Sequence, residues 1–437
     1  MTPKPKQLGL MMCTALVVGN MIGSGIFLLP ATLAPYGWNS IFGWLLTIVG
    51  GLLLAVVFAT LARNFPRAGG PYAFTQEAFG PAAGFLVAWT YWVSIWVGNA
   101  AIATGSVSYL SVFFPSLATT TGLHAGVTVA IIWALTLVNI RGAFLAGGVQ
   151  LVTTILKLLP LVAVIALGAL VVAGDGGASV APFDPSAIAL APVTAAATLT
   201  LWGLLGLESA TVPAEKVKDP VRTIPRATLI GTALTGLIYL FACSAVILLQ
   251  PAEEVAKSAA PFADFVAAHW GESAGRWLAL FAAISGFGAM NGWILIQGEL
   301  PYAMAKGGVF PAFFARLSTR QTPVRAHFVS SLLLTVVVLM NYSKSMTELF
   351  KFVILLSTMS SLVMYLACSL AALKLRSEGR LNSSAALPAV AAVAALYSLW
   401  TIVGAGKDAV VWGVVLLLAG VPVYLLTRRG KFTSQSR

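Results

Sequence analysis

The sequence predicts an all-α polytopic membrane protein with twelve transmembrane helices. Three observations predict it. Hydrophobic residues make up 59% of the 437 and charged residues only 9%, against about 25% charged in a soluble domain. Apolar runs recur along the whole chain, each near the ~20 residues a helix needs to cross hydrocarbon. The basic residues are unevenly placed. Twenty of the 26 lysines and arginines fall on one set of alternate connections, five fall on the other, and Lys157 lies inside a run. Basic connections stay in the cytoplasm. The bias therefore predicts an even number of spans, both termini cytoplasmic, in a cell inner membrane. It also accounts for the net charge of +12, which in a soluble chain would suggest nucleic acid; here no nucleic-acid partner is expected.

The spans are placed at 9–34, 39–63, 82–114, 123–142, 147–173, 190–212, 224–249, 276–305, 325–343, 346–374, 384–404 and 409–427. The chain, 1–437, reads as one transmembrane unit. Two connections are longer than the rest. Residues 64–81 are rich in proline and glycine. Residues 250–275 carry Glu253, Glu254, Asp264 and Glu272 and predict short helices on the outer face. No hydrophilic stretch is long enough for a soluble domain, and no Gly-x-x-x-x-Gly-Lys phosphate loop occurs. Cys13, Cys243 and Cys368 lie in apolar runs, without metal or disulfide spacing. The three histidines are far apart, so no cofactor is expected. The first apolar run has no signal-cleavage pattern after it and is a helix that stays.

The first span contains Asn20-Met21-Ile22-Gly23-Ser24-Gly25-Ile26 at mid-depth. Each glycine weakens a helix by about 1 kcal/mol. An unwound backbone would instead free N–H and C=O groups for a polar solute, which membranes tolerate only where protein or a wet cavity covers them. The sixth span repeats the feature about 180 residues later: Trp202-Gly203-Leu204-Leu205-Gly206-Leu207-Glu208. Glycine-interrupted segments at corresponding positions of two halves point to a transport site. The alternative for either stretch is a small-residue packing seam. The half-helix starting near Ser24 and Gly25 would offer free N–H groups to a carboxylate. Carbonyls around Met21–Ile22 and Trp202–Leu205 would suit an ammonium. Together they describe a site for an α-amino acid or a related amine.

Two charges lie within spans. Glu208 reads as a gate or proton carrier, or as a hydrogen-bonded structural acid. Lys157, one turn after Thr153 and Thr154, would stand where a coupling cation would otherwise bind, or would cross-link helices. Trp202 and Trp293 sit away from the membrane interfaces, as core residues or as lids over a cation. In the third span Trp92, Ile95, Asn99 and Ile102 share one face, with Tyr91 and Ser94 on the adjacent stripe. Ser357, Thr358, Ser360 and Ser361 polarise the tenth span. These polar groups line a path or bond between helices. Glu299, nearer the cytoplasmic end of its helix, is expected to pair with a basic loop residue.

The motifs Gly19-Asn20 with Gly23-Ser24-Gly25 and Phe27-Leu28-Leu29-Pro30, Tyr91-Trp92 with Trp96, Gly98 and Asn99, Leu201-Trp202 with Gly206 and Glu208-Ser209-Ala210, and Gly292-Trp293 are similar to those of the amino acid–polyamine–organocation (APC) superfamily. The resemblance runs through nearly the whole chain and is strongest to its arginine/agmatine antiporter branch. It implies a five-plus-five inverted repeat, 9–173 and 190–374, followed by two additional helices in 384–427, usually as a homodimer. It implies carboxylate binding at Ser24 and Gly25, and amine binding by the carbonyls of Met21, Trp202 and Leu205. Asn99, Trp293 and Ser357 would contact the substrate side chain. Trp202 and Tyr91 would gate, Glu208 would gate and confer proton sensitivity, and Tyr72 would serve the cytoplasmic pH response.

The chain departs from that branch at the side-chain end of the pocket, where Ser94, Ile95 and Ile102 replace Ala, Cys and Met, and at Lys157, which replaces Ala. A lysine there is similar to amino acid transporters in which the ammonium occupies a sodium position. The function implied is secondary transport, with no enzyme activity, exchanging arginine for its decarboxylated amine agmatine. That exchange exports net positive charge and helps consume protons in acid. The competing expectation is a proton-coupled permease of broader or neutral specificity using Lys157 or Glu208. A channel is disfavoured by bulky tryptophans at both interruptions.

Overall fold

The computed structural model describes residues 7–120, 122–340 and 346–435. Among these, seventeen α-helices follow one another and no strand is formed. The first half runs α1 (Leu10–Met21), α2 (Ser24–Leu33), α3 (Trp38–Asn64), α4 (Pro71–Phe79), α5 (Pro81–Leu110), α6 (Ser116–Thr119), α7 (Leu123–Ile140) and α8 (Ala143–Asp175). The second runs α9 (Leu190–Gly203), α10 (Pro220–Leu248), α11 (Ala252–Lys257), α12 (Pro261–Trp270), α13 (Glu272–Lys306), α14 (Val324–Met340) and α15 (Met346–Ser377). Helices α16 (Leu387–Gly404) and α17 (Lys407–Gln435) close the chain.

Ten segments are long and apolar enough to cross a membrane, with α1 and α2 counted as one. Two shorter apolar helices, Leu190–Gly203 and Val324–Met340, fall on the sixth and ninth predicted spans. The end of the ninth, 341–343, lies outside the described residues. The sixth span is interrupted where expected, regular helix stopping at Gly203, but no α-helix resumes within it: residues 204–219 proceed as turns with short 3-10 pieces at Ser209–Thr211 and Ala214–Lys216. Gly206 explains part of this, because its φ of +114 cannot continue a right-handed helix. The 64–81 connection also holds more structure than expected, namely the nine residues of α4.

Burial separates centre from periphery. In the most apolar stretch of the first span 88% of residues are buried, but only 17% in the last helix. The interrupted first span is therefore the axis of the molecule. Helix α1 packs against α8, α10 and α13, and α2 against α5 and α13. Helix α17 faces outward with large apolar side chains such as Trp412, Leu418 and Leu426 exposed, as expected of a surface that meets lipid.

Three ties hold the irregular segment after Gly203. The Leu8 N–H donates to the Lys216 carbonyl at 2.8 Å, and the Lys218 N–H to the Leu8 carbonyl at 2.9 Å. The entry to α1 is thereby fastened to the exit of the second interruption. The Gly69 N–H donates to the Val212 carbonyl at 2.9 Å, which brings the α4 loop over the same segment. Finally, Lys216 pairs with Glu299 of α13 at 2.5 Å, the carboxylate side chain being only 6% exposed.

Removing one member of a buried pair strands the other charge, whereas replacing both with apolar groups costs little; here the carboxylate is buried and Lys216 is 27% exposed, which reduces the cost. Lys216→Met is expected to lower the melting temperature of the detergent-solubilised protein clearly. The double variant Lys216→Met/Glu299→Leu is expected to recover most of the loss. Equal melting of wild type and Lys216→Met would show that the pair carries no stability.

Candidate functional site

The first interruption is short. Ile22 leaves the helix with ψ 89, Gly23 is extended, and α2 begins at Ser24. A helix that stops in a membrane must have its last carbonyls satisfied, and here side chains from three other helices do so. Tyr239 of α10 donates its hydroxyl to the Met21 carbonyl at 2.6 Å. The Trp293 indole N–H of α13 donates to the Asn20 carbonyl at 2.9 Å. The ammonium of Lys157, fully buried on α8, donates to the carbonyls of Gly19 at 2.8 Å and Ile22 at 2.7 Å. Lys157 forms no ion pair with any carboxylate among the described residues; its partners are the end of a broken helix, whose dipole is negative.

The second interruption meets the first. Gly206 lies so close to Asn20 and Trp293 that a Cβ would stand 3.1 and 3.2 Å from them. Asn20 donates its amide to the Ser209 hydroxyl at 2.9 Å. Trp293 thus packs on one interruption while bonding to the other. The six-membered ring of the Trp202 indole, at the end of α9, occupies the space beside Gly25, where any Cβ would overlap it. Glu208 is buried and accepts the Tyr91 hydroxyl of α5 on one oxygen and the Tyr365 hydroxyl of α15 on the other, both at 2.7 Å. The Gly206 N–H adds a longer bond at 3.3 Å. This carboxylate is held entirely by uncharged donors, fastening the second interruption to α5 and α15.

Between the interruptions is a cavity lined by Asn20, Met21, Gly23, Ser94, Ile95, Gly98, Ile102, Trp202, Leu205, Trp293 and Ser357. It is nearly closed. About 20 Å³ of it is open to the centres of water-sized spheres, where one water needs roughly 10–15 Å³. An amino acid can enter only if the walls part. Among the described residues no charged side chain lines it. On the α5–α15 wall the Ser94 and Ser361 hydroxyls share a hydrogen bond at 2.6 Å, and the Ser357 hydroxyl donates to the Ser94 carbonyl at 2.9 Å.

Of the residues the sequence singles out, Met21, Ser94, Ile95, Ile102, Trp202, Leu205, Trp293 and Ser357 line this cavity. Gly25 sits beneath Trp202, at the N-terminus of α2. The Ser24 side chain lies outside the described residues. Ile22 is buried with its carbonyl on Lys157. Asn99 departs from the expected place: its amide donates to Gln297 at 3.0 Å, and it is not on the cavity wall. Tyr91, Glu208 and Lys157 stand behind the wall, and Tyr72 lies elsewhere. Asn20, Gly23 and Gly98 also line the cavity. The motifs of the sequence contain all three, but none was assigned a contact with the solute.

Tyr72 belongs to a second, larger cavity of about 320 Å³ lined by Arg67, Gln76, Glu77, Glu215, Lys306 and Gly307 among others. The Lys306–Glu215 and Arg67–Glu77 pairs, each at 3.2 Å, border it. Burial pushes the Tyr72 hydroxyl up to about 12. It is therefore a neutral phenol throughout the physiological range and holds no titrating charge there.

Two discontinuous helices around an enclosed cavity are the architecture of a secondary transporter. The comparisons agree. The model of the amino acid permease family matches residues 8–426, and the chain belongs to that family, within the APC superfamily. It is 34% identical over 346 residues to the cadaverine/lysine antiporter of Escherichia coli K12, covering 77% of this chain and 75% of that protein. It is 31% identical over 428 residues to the putrescine transporter of Haemophilus influenzae, covering 97% and 98%. It is 32% identical over 465 positions to the proposed arginine/ornithine antiporter of Bacillus subtilis, covering 96% of each.

Two outcomes follow from this geometry. Gly25→Ala is expected to displace Trp202 and weaken substrate binding at least about tenfold, equivalent to 1.4 kcal/mol, with a shifted tryptophan emission. Wild-type emission and affinity would show that the indole does not need its seat on Gly25. For Tyr72→Phe, the shape of the transport pH profile between about pH 5 and 9 is expected to match wild type, because the phenol stays protonated below its raised value and carries no charge to lose. A displaced profile would mean that the hydroxyl titrates after all.

Proposed function

We propose that the protein exchanges a cationic amino acid for a related amine by alternating access. The observation that carries this reading is the nearly closed cavity between two interrupted helices, walled by Trp202 and Trp293, with no charged side chain among its described lining residues; it is supported by relatives named a cadaverine/lysine antiporter, a putrescine transporter and an arginine/ornithine antiporter. The arginine/agmatine pair is one member of the class. Lysine with cadaverine, and ornithine with putrescine, are others.

In this reading the substrate carboxylate meets the free N–H groups at Ser24 and Gly25 once Trp202 lifts from Gly25. The α-ammonium uses the carbonyls of Met21, Trp202 and Leu205, each of which has a second lone pair. Ser94, Ile95, Ile102 and Ser357 surround the side chain, and Trp293 offers its face to the distal cation. Trp202 and Tyr91 act in gating. Glu208 couples gating to the second interruption through Tyr91 and Tyr365. Residues 9–173 and 190–374 form the two repeats that move against each other. Both termini are cytoplasmic, the bilayer is a cell inner membrane, and a second copy of the chain completes a homodimer.

A second reading is favoured by one observation, the Lys157 ammonium on the Gly19 and Ile22 carbonyls. A neutral Lys157 would hold the break less tightly, so proton transfer there could drive uptake without exchange.

The deciding assay uses protein in liposomes. Labelled lysine or arginine is expected to enter only vesicles preloaded with an amino acid or amine of the class. Entry into empty vesicles, driven by an imposed proton gradient, would overturn exchange in favour of the proton-coupled reading. In that case Lys157→Ala should abolish the gradient dependence.

A further inference from the structure

Asn99 occupies the right stripe of α5 to reach the cavity. Ile95, one turn before it, and Ile102, nearly one turn after it, both line the wall, as does its neighbour Gly98. Its side chain nonetheless turns to α13, where the amide donates to the Gln297 side-chain oxygen at 3.0 Å. Gln297 lies one helical turn beyond Trp293 and is itself fixed. Its amide donates to the Ser331 hydroxyl at 3.0 Å, and its backbone carbonyl accepts the Ser330 hydroxyl at 3.0 Å. Ser331 in turn shares a hydrogen bond with Thr136 at 2.7 Å, and Ser330 accepts the Trp92 indole N–H at 2.9 Å. Asn99 and Gln297 are both fully buried, and the Asn99 side-chain oxygen has no hydrogen-bond partner. An amide of strong bonding capacity is held one residue away from a cavity that it does not serve.

We propose that Gln297 is a specificity-determining residue: by holding the Asn99 amide out of the cavity, it fits the site to a substrate ending in a primary ammonium rather than a guanidinium. This rests on the reading of the cavity as a site for cationic amino acids. With Asn99 withdrawn, the polar groups left on the α5–α15 wall are the hydroxyls of Ser94 and Ser357, between Ile95 and Ile102. A guanidinium brings five N–H donors in a fixed plane and no acceptor. Two hydroxyl oxygens cannot meet them, and each donor left unmet in a closed site weakens binding severalfold or more. An ammonium brings three donors that rotate freely about the end of a flexible stem. Two hydroxyl oxygens and the face of Trp293 suffice for it.

The test is competition for labelled lysine on the purified full-length protein, using lysine, ornithine, arginine and uncharged norleucine. Wild type is expected to bind lysine or ornithine at least about tenfold more tightly than arginine, the scale of one unmet hydrogen bond in a desolvated site. Gln297→Ala is expected to release Asn99 and move the lysine-to-arginine ratio toward arginine by about fivefold or more. Adding Asn99→Ala to that variant should reverse the shift. Gln297→Met, which keeps the side-chain volume, serves if the alanine variant does not purify as a single species. A wild type that prefers arginine overturns the proposal, as does a ratio unmoved in a folded Gln297 variant. Norleucine binding as tightly as lysine is a different failure, because it overturns the cationic reading of the site itself.

Discussion

The structure depends on one constraint: a helix broken inside a membrane must have every freed carbonyl met by something other than water. The carbonyls of Gly19, Asn20, Met21 and Ile22 are met by Lys157, Trp293 and Tyr239, from three different helices. None of these donors is local in sequence. The break is therefore stable only with α8, α10 and α13 packed around α1. An ammonium is an apt group for this place. It brings three donors on a long stem, and the end of α1 supplies partial negative charge.

The same donors make the two interruptions one unit. Trp293 bonds to the first and packs on the second. Asn20 reaches Ser209, and Leu8 bridges Lys216 and Lys218. Movement of α1 without movement of residues 204–218 would break bonds that have no substitute in lipid. Glu208 gives this unit a fixed reference. Through Tyr91 and Tyr365 its two oxygens are tied to α5 and α15, helices that pack along one another. In the proposed exchange, a site between a coupled pair of interruptions and this α5–α15 wall would open when one body shifts against the other.

Much of this was legible in the sequence, for a physical reason. Glycines at membrane depth and a lysine among apolar residues are costly, and cost is visible locally. Gly23 to Gly25, Gly206, Glu208 and Lys157 announced themselves in this way. Trp202 and Trp293 did so by position, away from the interfaces. What stayed hidden depends on partners far along the chain. Tyr365 is 157 residues from the acid it holds, and Gln297 is 198 residues from the asparagine it turns away. Helical periodicity places Asn99 on the cavity-facing stripe, but not which neighbour wins its amide. The glycines at 203 and 206 marked the second interruption, but not its length. That no α-helix resumes before Pro220 depends on the left-handed backbone at Gly206 and on bonds to Leu8 and Gly69, far along the chain.

Joined in this way, the two interruptions should respond to a ligand as one body. Hydrogen–deuterium exchange on the full-length protein in lipid nanodiscs, with and without saturating lysine, tests it most directly. Ligand is expected to slow exchange in both 18–26 and 203–212, with the same dependence on ligand concentration. Slowing confined to one of the two segments, at concentrations where binding is complete, would contradict it.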